Sequence, residues 1–186
     1  AAIDAGIRAA VSINVIDFPT GYGSGPDDYI AKGLAAYHQF KGEKLLDWTS
    51  APHAPYTVSD ETFIKLRKLA EEHDLQIHCH IHETAGEVAD SVKQYGMRPL
   101  ARLEKLGLMS ERLIAVHMVH LDEAEIAMLA AKGVHLVHNP NSNLKLASGI
   151  APVKALEAAG VNTVLGTDGA ASNNRLDMLG EIRSAA

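Results

Sequence analysis

Short runs rich in apolar and β-branched residues recur along the chain, at residues 11–18, 46–51, 75–82, 113–120, 134–139 and 161–167. Each has the length and composition of a β-strand. Between them the apolar positions shift to helical spacing. Ser59 precedes Phe63, Leu66, Leu69 and Ala70, which share one helix face, and its hydroxyl is an N-cap candidate. Thr84-x-x-Glu87 has capping-box form; Val88, Val92 and Tyr95 follow at i, i+4 and i+7, and Gly96 stops the helix. Pro99 opens and Gly107 closes the next short helix. Asp122-x-x-Glu125 repeats the capping pattern before Ile126 and Leu129, with Gly133 as the stop, and Pro152 and Gly160 bracket a further helix around Val153 and Leu156. Residues 20–26, TGYGSGP, read as a flexible loop. The repeated order of strand, polar loop, capped helix and glycine predicts a parallel α/β sheet.

Two architectures carry that order, an open doubly wound sheet and a (β/α)₈ barrel. The first wants a glycine-rich phosphate loop after an early strand. Gly21, Gly23 and Gly25 alternate without the required spacing. The barrel wants polar, reactive residues at the C-terminal ends of several strands. Five strand ends supply them: Pro52-His53, His80 to Glu83, His117, His138-Asn139 and Asp168. A full barrel needs eight strands and about 250 residues, whereas six strands are found in 186. The expectation is an α/β fold, a (β/α)₈ TIM-type barrel that is incomplete at about six βα units. Residues 1–186 would form part of one barrel domain, its first two strands and C-terminal tail lying outside the chain.

Composition narrows the function. The net charge is −6 and the pI about 5.9, which argues against a nucleic-acid partner, whose phosphates want a basic surface. Apolar stretches such as residues 113–116 fall far short of the roughly 18 residues of a membrane span, and no signal segment opens the chain. A cytoplasmic location is expected. The single cysteine, Cys79, excludes an internal disulfide and a Cys-x-x-Cys metal knuckle, so any metal would be held by histidine and carboxylate. Of ten histidines, seven lie between His78 and His138.

Residues 75–82, LQIHCHIH, alternate: Leu75, Ile77, Cys79 and Ile81 on one face, Gln76, His78, His80 and His82 on the other. Three histidines on one barrel-facing surface, ending beside Glu83, fit a ligand cluster better than a row of core histidines. In residues 113–120 the two histidines, three apart, point to opposite faces if the strand is regular. His117 is the candidate for the interior, as a site residue or a hydrogen-bonded core histidine, and His120 reads as a hydrogen-bonded loop residue. Asp168 closes an apolar strand; followed by Gly169 it is either a turn former or an oxygen ligand and proton acceptor facing the histidines.

HIHET at 80–84, VHMVH at 116–120, HNPNSNLKL at 138–146 and LGTDGAASNN at 165–174, with APHAPYT at 51–57, resemble the amidohydrolase superfamily. They are most similar to its 5-methylthioadenosine/S-adenosylhomocysteine deaminase branch. The resemblance implies one divalent metal, zinc or iron, at the barrel mouth, with His80 and Asp168 as ligands. It implies Glu83 as proton shuttle, His117 beside the reacting water, and His53 and Ser172 as substrate-contacting residues. Asp168 would also take a proton from water and pass it to the departing ammonia. The family's His-x-His pair from the first strand is absent and is expected upstream of Ala1. His78 and His82 are expected not to be ligands. The implied activity is hydrolytic release of ammonia from the adenine ring of a small nucleoside thioether. The alternatives are a guanine, cytosine or triazine type aminohydrolase or chlorohydrolase, and a non-catalytic metal-binding scaffold. Oligomeric state is not legible in the sequence.

Overall fold

The computed structural model describes all 186 residues. The chain forms two compact units, Ala1–Cys79 and His80–Ala186. The first holds helix α1 (Ala2–Ala5), strand β1 (Ala9–Val15), α2 (Pro26–Phe40), β2 (Leu46–Pro52), α3 (Asp60–His73) and most of β3 (Gln76–Ile81). Strands β1 and β2 run parallel in unbroken register from Ala9↔Leu46 to Val15↔Pro52, and β2 meets β3 at Thr49↔Gln76 and Ser50↔Ile77. β1 stops before the predicted Phe18 because Asp17 turns away. Its N–H donates to the Thr57 carbonyl and its carboxylate accepts from the Ser59 N–H at 2.8 Å. Helix α3 starts as predicted, with Ser59 Oγ accepting from the Thr62 N–H. Its face buries Phe63, Leu66 and Ala70 completely, each large side chain contributing roughly 1.5–3 kcal/mol. Helix α2 is not foreseen by apolar spacing. It is set by Pro26 in its first turn and by Asp27 and Asp28 at its positive end.

The second unit holds the end of β3, then α4 (Ala85–Tyr95), α5 (Pro99–Lys105), β4 (Leu113–His117), α6 (Glu123–Lys132), β5 (His135–His138), α7 (Pro140–Lys145), α8 (Val153–Ala158), β6 (Asn162–Leu165) and α9 (Met178–Ala185). The strands lie in the order β3-β4-β5-β6. β5 pairs parallel with both β4 and β6. The core is made by Ile81, Leu100, Leu103, Leu113, Ala115, Met118, Leu129 and Leu156. Asp122 and Glu125 make the reciprocal cap that their spacing predicts. Thr84 caps α4 through the Glu87 N–H, but the Glu87 carboxylate reaches further back, as described below. Arg102, almost fully buried, places its guanidinium 3.9 Å from the centre of the Tyr95 ring, a cation–π contact. The short helix α7 and the terminal α9 are further departures from the apolar pattern.

Strand ends differ from the regular alternation. β3 buries Ile77, Cys79 and Ile81 and leaves His78 and His80 half-buried on the opposite face, as expected. His82 does not join them: its backbone is left-handed (φ 55°) and its ring is fully buried. Likewise β4 ends at His117 (φ 75°), followed by Met118 (φ 49°), so the strand periodicity that opposed His117 to His120 stops before His120. No helix is long and apolar enough to cross a membrane.

Candidate active site

In the second unit, His80 comes from β3, Glu83 from the turn after it, His117 from the end of β4 and Asp168 from the loop after β6. The His80 and His117 rings stack with centroids 5.5 Å apart and planes 29° from parallel. His117 Nε2 lies 3.7 Å from Glu83 Oε2 and 4.0 Å from Asp168 Oδ2. These separations exceed hydrogen-bond length but put two carboxylates on one imidazole edge. On the other edge, His117 Nδ1 and Asn143 Oδ1 are 2.8 Å apart. An amide oxygen only accepts, so with this amide orientation Nδ1 carries the proton and the Nε2 edge faces the carboxylates.

Each acidic side chain is held. Asp168 Oδ2 accepts from Ser142 Oγ at 2.6 Å and Ser172 Oγ at 2.8 Å, and Oδ1 from the Gly169 N–H at 2.7 Å. Burial pushes its carboxyl up; the bonds from Ser142, Ser172 and Gly169 and the nearby His117 outweigh that and hold it below the usual carboxylate range. Its backbone is left-handed (φ 60°). Two residues earlier the chain passes so near β5 that a Cβ on Gly166 would meet Val137 Cγ1 at 2.8 Å, so only glycine admits this approach. Glu83 Oε1 accepts from Ser148 Oγ at 3.2 Å. The backbone that carries Glu83 is pinned by Glu87, whose two oxygens accept from the His82 N–H at 2.9 Å and the Glu83 N–H at 2.8 Å. Burial drives the Glu87 carboxyl up to about 7 against the pull of these amides.

Behind Glu83 lies a second polar cluster. The Leu100 N–H donates to His82 Nε2 at 3.2 Å, which makes Nδ1 the donor to the His120 carbonyl at 3.0 Å. Burial lowers the His82 pKa, with Glu125 opposing, so this imidazole is neutral, and both its nitrogens are occupied by main-chain groups. That excludes it as a ligand in this arrangement. Arg98 donates to the His120 carbonyl and to both Glu125 oxygens, each at 2.7 Å, which gives a buried carboxylate its counter-charge. His120 Nε2 donates to the Ser148 carbonyl at 2.7 Å, consistent with its reading as a loop residue.

The remaining expected site residues are placed as follows. Ser172 touches Asp168 directly. His53, in the first unit at the end of β2, is exposed; its Nδ1 lies 2.9 Å from Thr57 Oγ1 and its ring stands edge-on to Tyr56. Ser142, Asn143 and Ser148 are contributors that motif reading did not single out for a role, and Glu87 is one that it read only as a cap. Their signal is a run of small polar residues after a strand, and a capping pattern whose acid does a second job.

No group of three or more His, Cys, Asp or Glu side chains is arranged to hold a metal ion. His80 and Asp168 offer one imidazole nitrogen and one carboxylate, the donor types that zinc and other first-row metals accept. The hydroxyl and amide bonds around Asp168 are the kind of support that ligating carboxylates carry. The donor set fits such a metal in kind and supplies two of the three protein ligands or more that a catalytic site uses.

The model of the Amidohydrolase family matches residues 1–186. A 5-methylthioadenosine/S-adenosylhomocysteine deaminase of Saccharophagus degradans is 49% identical over 186 residues, which cover 100% of this chain and 42% of that protein. Among solved structures, an adenosine deaminase from Xanthomonas campestris with bound zinc superimposes with a TM-score of 0.96 at 54% identity, over 99% of this chain and 42% of that one. A triazine hydrolase from Arthobacter aurescens gives a TM-score of 0.91 at 27% identity, over 100% and 43%. The chain thus spans about two-fifths of the length of these relatives. The fold class stands as expected: six parallel strands alternating with helices, making up part of the larger fold.

Proposed function

The chain belongs to the amidohydrolase family, and from that premise we propose that it is the metal-site segment of a hydrolytic deaminase. The substrate in this reading is an adenine nucleoside of the methylthioadenosine or S-adenosylhomocysteine type. The observation that carries it is the placement of Glu83 and Asp168 on the same edge of His117, at 3.7 and 4.0 Å. Replacement of an aromatic amino group by water needs groups that accept and deliver protons around one reacting carbon. The substrate class is supported by the names and identities of the relatives; the triazine type stands at 27% identity against 49% and 54% for adenosine-directed proteins.

His80 and Asp168 would hold a divalent cation, zinc in the first instance with iron as the alternative, together with donors from outside these residues. When bound, such a metal acidifies water, moving its pKa from 15.7 toward about 7. Glu83 takes the first proton of the attacking water and delivers it to the purine ring nitrogen as aromaticity is lost. His117, fixed by Asn143, orients the attacking oxygen. Asp168 accepts the second proton of that water and passes it to the amino group, which leaves as ammonia when its bond to the ring carbon breaks. Ser172 keeps the Asp168 carboxylate aligned, and His53 contacts the substrate. We further take the 186 residues to be part of one barrel domain. A cytoplasmic setting is supported by the composition and by the lone, buried Cys79.

The test is ammonia release by the intact protein from methylthioadenosine, S-adenosylhomocysteine, 5′-deoxyadenosine, adenosine, guanine, cytosine and an aminotriazine, with metal quantified in the same preparation. The expected order puts the adenosine compounds first. Preference for guanine, cytosine or the triazine would overturn the substrate class, and metal binding without turnover on any of them would support a scaffold.

A further inference from the structure

Residues 142–148 invert the usual distribution of polar and apolar side chains. Ser142, Asn143 and Ser148 are at most 5% exposed, while Leu144 and Leu146 between them are 60% and 50% exposed. A segment folded only to bury apolar surface would do the opposite. The three buried polar side chains each reach a different residue of the candidate site. Ser142 Oγ donates to Asp168 Oδ2 at 2.6 Å, Asn143 Oδ1 accepts from His117 Nδ1 at 2.8 Å, and Ser148 Oγ donates to Glu83 Oε1 at 3.2 Å.

The backbone is closed to make this possible. The Leu146 N–H bonds the Ser142 carbonyl, and the Ser148 N–H returns to the Asn143 carbonyl, both at 2.9 Å. Between them Ala147 takes a left-handed conformation (φ 56°), unfavourable for a residue with a Cβ, which turns Ser148 inward. Gly149 follows at φ 123°, where a Cβ would meet Val119 Cγ1 at 2.8 Å, so the segment is pressed against the chain that leaves β4. His120 Nε2 then ties the Ser148 carbonyl in place at 2.7 Å.

The geometry points to residues 142–148 as a positioning platform. This one segment sets the mutual orientation of the three groups that act in the deamination, through Ser142 on Asp168, Asn143 on His117 and Ser148 on Glu83. Asn143 selects the His117 tautomer, with Nδ1 protonated and the Nε2 edge facing the carboxylates. Ser148 occupies Glu83 Oε1 and leaves Oε2 toward His117. None of the three platform residues is assigned contact with the reacting atoms. The inference rests on the roles proposed above for Glu83 and His117.

It is tested in the intact, metal-loaded protein with Ser148→Ala, Ser148→Thr and Asn143→Ala. Supporting residues of this kind cost roughly 10–100-fold when removed. The expected result is a fall in kcat of that size for both alanine variants with KM within about threefold, and recovery of most of it in Ser148→Thr, which keeps the hydroxyl. A second readout is independent of turnover: ¹⁵N NMR of the histidine rings, with His117 assigned by the signal missing in His117→Gln. Wild type should show His117 protonated at Nδ1, and Asn143→Ala should shift it toward the other tautomer. Wild-type kcat in both alanine variants, beside an inactive Glu83→Gln, would overturn the platform, as would an unchanged His117 ring pattern in Asn143→Ala. Equal losses in Ser148→Ala and Ser148→Thr would reduce Ser148 to a packing residue. If wild type released no ammonia from any nucleoside, the functional reading would fall instead, and the NMR result would still decide whether Asn143 sets the tautomer.

Discussion

The two compact units repeat the same alternation of parallel strand and helix, and they differ in how the backbone turns between elements. In Ala1–Cys79 the single left-handed residue with a side chain is Asp74, where it closes helix α3. In His80–Ala186 there are five: His82, His117, Met118, Ala147 and Asp168. Four of these stand at or within three residues of the end of β3, β4 or β6, and the fifth turns Ser148 toward Glu83. Each such residue costs on the order of 1–3 kcal/mol unless its surroundings enforce it. The second unit enforces them with buried polar bonds, whereas the first relies on apolar burial and ordinary caps. Strain and buried polarity therefore mark the unit that holds the candidate site.

The strongest test of that contrast is kinetic. Glu83→Gln should lower turnover roughly 10²–10⁴-fold with metal content and fold retained, while Glu61→Gln, an exposed acid in the first turn of α3, should leave turnover near wild type. Steady-state ammonia release with metal analysis checks both, and a normal rate in Glu83→Gln would erase the functional asymmetry.

Next comes pH. The Glu87 carboxyl is moved from 4.5 to about 7, so in that interval the unfolded chain gives up a proton that the folded protein keeps. Folding stability should be highest below pH 4.5 with respect to this group, decline as pH rises to about 7 and level off above it, by up to about 3 kcal/mol at roughly 1.4 kcal/mol per pKa unit. Urea titrations across the interval should show this decline flattened in Glu87→Gln; an unchanged slope would mean another group is responsible.

A smaller contrast is structural. Arg98→Ala leaves the buried Glu125 carboxylate without its counter-charge and should cost about 2 kcal/mol, against about 1 kcal/mol for removing the Ser59 cap in the first unit. Denaturation midpoints compare them, and a cost for Arg98→Ala no larger than that of Ser59→Ala would remove the distinction. The smallest effect should come from relieving strain. Ala147→Gly should gain up to about 1 kcal/mol, and Asp74→Gly less, because aspartate tolerates the left-handed region better than alanine. Equal gains would say that the second unit is no more strained than the first.

The sequence makes the scaffold legible and the site partly so. Strand positions, the Ser59 and Thr84 caps and the Asp122–Glu125 box are local, set by periodicity and by hydrogen bonds spanning three residues, and they appear where expected. His80, Glu83, His117 and Asp168 stand out because reactive side chains at successive strand ends converge when strands are parallel. Other features were hidden because they depend on partners distant in sequence. His82 shares a two-residue period with His78 and His80, yet a change of φ takes it into the contacts of Leu100 and His120. Glu87 reads as a cap, and its bonds to the backbone of residues 82 and 83 appear only once the turn is formed. Helix α7 is too short for a period, and the value of Ser142, Asn143 and Ser148 lies in side chains that arrive from three other strands.

The left-handed turn at Asp168 also narrows the routes by which this position can change. Single-base replacements in an aspartate codon lead to Asn, Gly, His, Glu, Tyr, Ala or Val. Asn and Gly suit the backbone there and His tolerates it, while β-branched Val is opposed by the main chain before any question of chemistry arises. The mutational neighbourhood of the site is thus filtered twice, first by a dihedral angle and then by function. A variant that lost the carboxylate but kept the turn, such as Asp168→Asn, would retain the fold while discarding the role proposed for Asp168, so the shortest path away from that role runs through residues that leave the scaffold intact.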